Sequence, residues 1–257
     1  MIEITDLHKA FDGREVLKGI TSTFENGKTN LIIGQSGSGK TVLMKCIVGL
    51  FTPTAGDVFY DGRSLVGMTK RERALLRREM GMIFQSAALF DSMSVLENVM
   101  FPLDMFSNDS YKERVRRAQF CLDRVNLSEA GAKFPGEISG GMQKRVAIAR
   151  AIALKPKYLF CDEPNSGLDP KTSLVIDELI HELTQEYNTT TIINTHDMNS
   201  VMGIGEHILY IYEGNREWEG TKEEVMSSDN ERLNNFIFAS DLFRKVKEVE
   251  LEQEGKR

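Results

Sequence analysis

The chain lacks several features that would define other classes of protein. No uninterrupted apolar run approaches the roughly 20 residues that a membrane-spanning helix needs. The first residues, MIEITDLHKAF, lack the basic and apolar segments of a signal peptide. The three cysteines, Cys46, Cys121 and Cys161, are odd in number and far apart, which favours buried, reduced thiols over disulfide or metal chemistry. The net charge of −6 argues against a broad nucleic-acid-binding surface. We therefore expect a cytoplasmic protein that binds no nucleic acid.

A glycine-rich stretch, GQSGSGKT at residues 34–41, matches the P-loop pattern G-x-x-x-x-G-K-[ST]. It follows the apolar run TNLII and precedes apolar residues at helical spacing, so it connects a predicted strand to a predicted helix. Glycines allow a tight turn that directs backbone N–H groups at phosphate oxygens, and the helix dipole favours the anion. Lys40 is expected to contact the β- and γ-phosphates of a nucleotide, and the Thr41 hydroxyl to bind Mg²⁺. The residues predicted to hold the nucleotide here are Gly34, Gln35, Ser36, Gly37, Ser38, Gly39, Lys40 and Thr41.

Two acidic residues stand at the end of a second apolar run, in YLFCDEP at residues 158–164. Open α/β sheets bind their ligands at the carboxyl ends of the strands. Asp162 is therefore predicted to hold the Mg²⁺ that bridges the phosphates, and Glu163 to polarise the attacking water. A pair of solvated carboxylates is the alternative, and the presence of a P-loop makes it much less favoured.

Two further polar residues follow apolar runs. Gln85 comes after GMIF, and His196 ends the run TTIINTH. Gln85 is a candidate contact for Mg²⁺ or its water, and His196 for the γ-phosphate. Spacing alone leaves each residue open between this role and an ordinary surface or core role. The other histidines, His8, His181 and His207, are interpreted as surface or core residues.

The stretch ISGGMQKR at residues 138–145 places a serine and two glycines directly before a helical run. Serine is a favoured helix N-cap and glycine tolerates the turn, so an ordinary cap is the simpler interpretation. The unpaired N–H groups at a helix start can also bind phosphate. On these residues alone the ordinary cap is favoured, and phosphate binding stays open.

The rest of the chain alternates in a pattern that indicates an α/β fold. Short β runs occupy residues 1–34, and a mostly helical stretch runs from about 69 to 126. Strands then alternate with helices, which favours parallel βαβ units. The tail from Glu231 to about Glu252 has apolar residues at roughly helical spacing, namely Leu233, Phe236, Ile237, Phe243 and Val246.

These motifs together resemble the ATPase subunits of ABC transporters. GQSGSGKT, Gln85, ISGGM, YLFCDEP, SGLD and His196 occur in the order seen in that family, and the resemblance covers residues 1 to about 220. It implies ATP and Mg²⁺ as cofactors. The implied fold is a P-loop NTPase core with a mostly parallel sheet, an N-terminal antiparallel β subdomain and an inserted α-helical subdomain. The predicted domains are an ATPase domain at 1–228, with its helical subdomain at about 86–156, and a C-terminal helical extension at 229–257.

The resemblance also assigns roles to single residues. Phe11 is implied as the aromatic residue that stacks on adenine, and Asp169 as a residue that communicates across the interface between two copies. The implied catalytic residues are Glu163, His196, Gln85 and Lys40. The implied Mg²⁺ ligands are Thr41, Gln85 and Asp162. The residues implied to meet the γ-phosphate of the partner copy's nucleotide are Ser139, Gly140 and Gly141.

In this family two ATPase subunits face each other head to tail, and each nucleotide lies between one copy's P-loop and the other copy's signature motif, which corresponds to ISGGM at residues 138–142 here. ATP closes the dimer because its γ-phosphate contacts both copies. Hydrolysis removes this contact and lets the dimer reopen. The implied partners are a second copy and integral-membrane permease subunits, with a periplasmic lipid-binding subunit and a small regulatory subunit as further candidates. The chain is expected on the inner face of the cytoplasmic membrane. Its apolar loop from Ser86 to Met93 is predicted to dock the membrane subunit, with a plain core role as the alternative.

Two stretches, SGGM and FQSAALFDSMSVLENVMFPL, resemble the ATPases of Mla-type phospholipid transport in particular. They predict phospholipid or a related lipid as the cargo. Amino-acid transport, lipoprotein transport and a nontransport regulator of the cell-division type are the alternatives. The chain departs from the common family pattern at Ile138, Met142, Asn165 and Gly167. None of these departures removes a group that hydrolysis needs, so they bear on the subfamily.

Overall fold

The computed structural model describes residues 1–239, and the predicted tail positions Phe243 and Val246 lie outside the described residues. The strands are β1 (Ile2–Phe11), β2 (Arg14–Phe24), β3 (Thr29–Ile33), β4 (Ala55–Tyr60), β5 (Arg63–Ser64), β6 (Met80–Ile83), β7 (Tyr158–Asp162), β8 (Thr190–Asn194), β9 (His207–Tyr212) and β10 (Asn215–Gly220). The helices are α1 (Lys40–Ile47), α2 (Lys70–Arg78), α3 (Val95–Phe106), α4 (Tyr111–Arg124), α5 (Gly140–Ala151), α6 (Pro170–Tyr187), α7 (Met198–Ile204), α8 (Lys222–Ser227) and α9 (Glu231–Ile237).

The chain divides into two compact units. The first unit contains Met1–Phe24, Thr29–Val66 and the described residues from Asn194 onward. The second unit contains Glu25–Lys28 and Gly67–Ile193. The P-loop therefore belongs to the first unit, and the acidic pair at 162–163 belongs to the second.

An antiparallel sheet with the strand order β2, β1, β4, β5 lies in the first unit. Strands β1 and β2 form a hairpin around Asp12 and Gly13, a residue pair that favours tight turns. Apolar residues of these strands, such as Ile4 and Leu17, are buried, whereas many of their neighbours are exposed. The sheet therefore covers an apolar core with one face.

Strand β3, which leads into the P-loop, is buried along its whole length. It pairs in parallel with β9, with Leu31 opposite Ile208, and β10 pairs antiparallel to β9. The sequences TNLII and HILYIY are nearly continuous apolar runs, as expected of strands that are covered on both faces. This packing fixes the point from which the P-loop starts.

The second unit places β8, β7 and β6 side by side in that order. Strands β6 and β7 run in parallel, with Met82 opposite Phe160. Helix α5 packs against β6 and also against α3 and α4. Several helices begin at a capping box, in which a serine or threonine and a glutamate three residues later exchange hydrogen bonds with the backbone. These pairs are Thr69 and Glu72 at α2, Ser94 and Glu97 at α3, and Ser110 and Glu113 at α4.

The observed elements match the arrangement that the sequence resemblance implies, with an antiparallel β region, parallel strand pairs and helices between β6 and β7. The predicted capping box at Thr221 and Glu224 is present at α8. The predicted domain limits at 1–228, 86–156 and 229–257 stay predictions.

The three cysteines are free and buried, as the sequence indicated. Burial raises the pKa of Cys46 and of Cys121 to about 11, because a thiolate is poorly solvated in an apolar interior. Cys161 lies inside β7, and burial also raises its pKa. These thiols are therefore core side chains rather than reactive groups.

Candidate functional site

The P-loop occupies the connection between β3 and α1 in the first unit. Gly39 is the N-cap of α1 and has φ of 112°, a left-handed conformation that favours glycine. Glycine offers no capping side chain, and the first turn of α1 contains no acidic residue. The positive end of the helix dipole is thus left for an external anion.

Polar side chains of the same loop point to a phosphate ligand. Lys40 is buried, and its Nζ donates to the carbonyl oxygens of Gly34 at 2.7 Å and Gln35 at 3.0 Å. The ammonium is therefore held over the loop itself. The Ser38 hydroxyl oxygen is buried, and no hydrogen-bond partner for it exists among residues 1–239. A buried polar group of this kind is costly unless a ligand or water satisfies it. The loop therefore fits a phosphate group, and the adjacent Thr41 hydroxyl offers an oxygen of the type that Mg²⁺ prefers.

Phe11 ends β1 and is 39% exposed. Its ring meets the ring of Phe51 in a T-shaped contact, with centroids 5.3 Å apart. Lys9 Nζ lies 4.8 Å from the centroid of Phe11 and also donates to the Thr52 carbonyl oxygen at 2.8 Å. The Phe11 ring is therefore packed against Phe51 and Lys9 of the same unit, while part of its surface remains exposed to solvent.

The acidic pair lies at the end of β7 in the second unit. Asp162 is the last residue of the strand, and Glu163 follows with φ of 48°. The Gln85 side-chain amide donates to Glu163 Oε2 at 3.1 Å and to Ser166 Oγ at 3.0 Å. The fold therefore brings together two residues, Gln85 and Glu163, that the sequence had marked separately.

The signature stretch starts α5. The Ser139 side chain is exposed and accepts a hydrogen bond from Met142 N at 3.3 Å, so the serine is a helix N-cap. A Cβ at Gly141 would lie 2.8 Å from Thr172 Cγ2, whereas a Cβ at Gly140 would meet nothing within 4 Å. The second glycine is thus required by close packing, and the first faces open space.

Asp169 lies near this packing contact because it caps the helix that carries Thr172. The backbone N–H of Thr172 donates to Asp169 Oδ1 at 3.0 Å, and the Thr172 hydroxyl donates to Oδ2. Hydrogen bonds from the Thr172 hydroxyl and backbone lower the pKa of Asp169. The exposed start of α6 and the start of α5 therefore approach each other closely at Gly141 and Thr172.

His196 is exposed and lies two residues beyond the end of β8. The preceding residue, Thr195, donates its backbone N–H to the carbonyl oxygen of Ile32 in β3. His196 thus follows a segment that is bound to the strand leading into the P-loop.

The second unit contains two buried polar contacts that the sequence motifs did not indicate. Lys144 of α5 is only 5% exposed, and its Nζ donates to the Gln85 carbonyl oxygen. Burial lowers the pKa of Lys144, and the Glu163 carboxylate opposes that change. The Asn165 side-chain amide donates to Asp177 Oδ1 at 2.7 Å, and both residues are buried.

A sequence signal for Lys144 existed. The residues one turn further along α5, Ala147 and Ile148, are apolar and buried, so Lys144 is a charged residue on the core-facing side of the helix. The residue that binds this lysine could not be read from the helix, because Gln85 is 59 residues away in sequence.

Comparisons with known proteins agree with this arrangement. The sequence profile of the ABC transporter family matches residues 17–166. The methionine import ATP-binding protein MetN of Latilactobacillus sakei subsp. sakei (strain 23K) is 37% identical over 232 residues, which are 89% of this chain and 67% of that protein. A probable ribonucleotide transport ATP-binding protein, mkl, of Mycobacterium bovis is 33% identical over 236 residues, which are 92% of this chain and 66% of that protein. The chain thus spans about two thirds of the length of these relatives.

A solved structure supports the same assignment. The ATP-binding cassette MJ0796, in a dimeric post-hydrolysis state bound to ADP and Pi, matches with a TM-score of 0.78 and 33% identity, over 86% of this chain and 99% of that one. The chain belongs to the ABC transporter family and carries the ATPase fold of that family. None of the helices within residues 1–239 combines the length and apolar character that a membrane span requires.

Proposed function

We propose that this chain is the ATP-hydrolysing subunit of a membrane transporter. The observation that carries the proposal is the P-loop, where the buried Ser38 hydroxyl and the uncapped start of α1 both call for an anionic ligand. Lys40 would contact the β- and γ-phosphates of ATP, and Phe11 would stack on the adenine. His196 would contact the γ-phosphate. In support of these roles, Phe11 and His196 are exposed, and the Lys40 ammonium is held over the loop by its hydrogen bond to the Gly34 carbonyl oxygen.

In the second unit, Glu163 would accept the proton of the attacking water, and Gln85 would orient the Glu163 carboxylate through the hydrogen bond between them. Asp162 would be an oxygen ligand of Mg²⁺, as Thr41 would be in the first unit, and Gln85 is a further candidate ligand. When bound, Mg²⁺ would neutralise charge on the phosphate oxygens. Glu163 and Gln85 would orient the attacking water, and Glu163 would receive its proton.

Two copies would form the working unit. Ser139 and Gly140 are exposed and stand at the start of α5, where they could meet a nucleotide held by another copy. The dimeric state reported for MJ0796 supports this arrangement. ATP would favour the closed dimer because its γ-phosphate contacts both copies, and loss of that phosphate would favour reopening. Asp169, exposed at the start of α6, would lie at the same interface.

The loop from Ser86 to Met93 would dock the membrane subunit. A cavity of about 520 Å³ adjoins this loop and is lined mainly by apolar side chains, among them Met82, Phe84, Phe90, Phe101, Phe106 and Leu154. Phe90 is 40% exposed and packs against Phe101, with ring centroids 4.7 Å apart. A cavity of this size and character suits the apolar side chains of a partner helix.

The docking loop is held rigidly by two polar residues. The Arg150 guanidinium donates to the carbonyl oxygens of Ala87 and Ala88, both at 2.8 Å. Buried Asn98 accepts from Phe90 N at 2.8 Å and donates to the carbonyl oxygens of Phe90 and Met93, each at 3.1 Å. A loop whose main chain is fixed in this way loses little conformational entropy when a partner binds. Docking of this loop onto a membrane subunit would place the chain at the inner face of the cytoplasmic membrane.

For the cargo we propose phospholipid or a related lipid, on the basis of the Mla-type resemblance in SGGM and in residues 84–103. Permease subunits, a periplasmic lipid-binding subunit and a small regulatory subunit would complete such a transporter. A second candidate is amino-acid import, which is favoured by the name of the methionine import relative at 37% identity.

One experiment separates the two cargoes. The chain would be purified together with the membrane proteins that accompany it, and the bound small molecules would be extracted and identified by mass spectrometry. ATP hydrolysis by the same complex would be measured with added phospholipid and, separately, with added methionine. Bound phospholipid together with stimulation by phospholipid would support the first proposal. Stimulation by methionine without bound lipid would replace it with the second.

A further inference from the structure

Lys144 connects the signature helix to the residues proposed for catalysis. Its Nζ donates to the Gln85 carbonyl oxygen, and the Gln85 side chain donates to Glu163 Oε2 at 3.1 Å and Ser166 Oγ at 3.0 Å. The main chain of Gln85 is therefore hydrogen-bonded to α5, and its side chain is hydrogen-bonded to the carboxylate of Glu163.

Burial of a lysine is costly unless the ammonium finds partners, so a buried lysine calls for an explanation. Lys144 is 5% exposed and faces the core side of α5. An apolar residue of similar length would fill this position without the desolvation cost of an ammonium group. What such a residue could not do is donate a hydrogen bond to Gln85.

The neighbouring residue Arg145 shows that a cation on α5 does not by itself form a hydrogen bond to Gln85. Its guanidinium donates to the Val125 carbonyl oxygen at 3.2 Å, in the segment that follows α4. Arg145 thus binds a main-chain carbonyl as Lys144 does, one position away on the same helix, without contacting Gln85 or Glu163. It is a matched reference for the structural part of the Lys144 interaction.

We propose that Lys144 is a positioning residue for ATP hydrolysis, which fixes Gln85, and through Gln85 the Glu163 carboxylate, to the signature helix. The inference rests on the proposed role of Glu163. Ser139 and Lys144 lie about 7.5 Å apart along the axis of α5, at 1.5 Å per residue. The same helix therefore joins the end that would meet the partner's nucleotide to the loop that orients the catalytic carboxylate in its own copy.

The test compares Lys144→Met, Lys144→Arg and Arg145→Met in the full-length chain. Steady-state kcat and KM for ATP are measured, together with the melting temperature of each variant. Lys144→Met is expected to lower kcat about tenfold while KM stays within about twofold, because a loosened carboxylate slows the chemical step and the P-loop still holds the nucleotide. Lys144→Arg keeps a donor and is expected to recover part of that loss. Arg145→Met is expected to keep kcat within about twofold at a similar melting temperature.

A double-mutant cycle with Gln85→Ala tests whether Lys144 acts through Gln85. If it does, Lys144→Met should lower kcat little further once Gln85→Ala is present. Losses that multiply would overturn the inference, as would a Lys144→Met variant with the same kcat as Arg145→Met. If Lys144→Met does not fold, Lys144→Leu takes its place in the same cycle, because leucine also lacks a hydrogen-bond donor.

Failure of this inference differs from failure of the proposed function. The unmodified protein and Glu163→Gln report whether Glu163 supports hydrolysis at all. An active parent and a strongly slowed Glu163→Gln, combined with a normal Lys144→Met, would reject the role of Lys144 alone.

Discussion

The side-chain amide of Gln85 is hydrogen-bonded to the carboxylate of Glu163, 3.1 Å from Oε2. Gln85 follows β6 and Glu163 follows β7, and these strands are parallel neighbours. Both side chains therefore emerge at the carboxyl edge of one strand pair, which is where open α/β sheets bind ligands. The loop proposed to dock the membrane subunit begins at the next residue, Ser86, so a change in that loop would have a short path to the carboxylate proposed as the general base.

Glu163→Gln should abolish most ATP turnover but preserve ATP binding. The amide cannot accept the proton of the attacking water, and loss of a general base typically costs at least about 100-fold in rate. Phosphate release measures turnover, and titration with a fluorescent ATP analogue measures binding. Because hydrolysis would no longer separate the copies, size-exclusion chromatography with ATP should show a dimer. Near-normal turnover would contradict the role of Glu163.

A mixture of two defective subunits should restore one active site. Ser139→Arg blocks the start of α5, and Lys40→Ala weakens the P-loop. If the nucleotide is shared between copies, a heterodimer of the two variants combines one intact P-loop with one intact signature motif. Hydrolysis by tagged, purified heterodimers should then exceed that of either homodimer and approach about half of the normal rate. Well-formed heterodimers without activity would argue that each copy works alone.

The two signature glycines should respond differently to alanine. At Gly141 a Cβ would lie 2.8 Å from Thr172 Cγ2, so Gly141→Ala is expected to lower the melting temperature. At Gly140 the Cβ has open space, and Gly140→Ala should leave the melting temperature unchanged or raise it, because alanine favours helices. Gly140→Ala should nevertheless reduce ATP hydrolysis by crowding the partner's nucleotide. Equal melting temperatures in the two variants would show that the close approach at Gly141 is not limiting.

Phe90→Asp should disrupt assembly with the membrane subunit and leave nucleotide binding intact. The aspartate would place an unpaired charge in the apolar docking surface, where its desolvation is unfavourable. Tyr111→Asp is the control, since Tyr111 is 68% exposed on α4 and does not line the cavity. Co-purification with the tagged membrane subunit measures assembly. If both variants assemble normally, the docking surface lies elsewhere.

Glu219 should make stability dependent on pH in the acid range. Burial disfavours its charge, but hydrogen bonds from His207, Ser22 and Arg216 outweigh that effect and lower its pKa from 4.5 to about 2. A lowered pKa means that the charged form stabilises the fold above about pH 4.5, and that this stabilisation is lost as the pH falls through about 2. Glu219→Gln is therefore expected to lower the free energy of unfolding by about 2 kcal/mol at pH 7, after allowance for solvent screening.

Chemical denaturation at a series of pH values tests this expectation. The difference in unfolding free energy between Glu219→Gln and the parent should be constant near neutral pH and should shrink below about pH 4.5. A difference that does not change with pH would mean that the Glu219 hydrogen bonds stabilise the fold independently of its charge.

Local features were predictable because their causes are local. The hairpin at Asp12 and Gly13 and the helix start at Thr221 depend on residues that are adjacent or three positions apart, so a short stretch of sequence contains the whole interaction. The P-loop is of the same kind. The role of Ser139 as an N-cap also followed from its neighbours.

By itself, the sequence determined the fold class, the family and the contiguous phosphate-binding loop, because each of these is encoded in local periodicity or in a single uninterrupted motif. Only the tertiary structure decided three hydrogen bonds: Gln85 to Glu163, Lys144 to Gln85, and Asn165 to Asp177. These contacts join residues that are 78, 59 and 12 positions apart. They depend on how α5, α6 and the ends of β6 and β7 pack in three dimensions, and no local pattern specifies that packing.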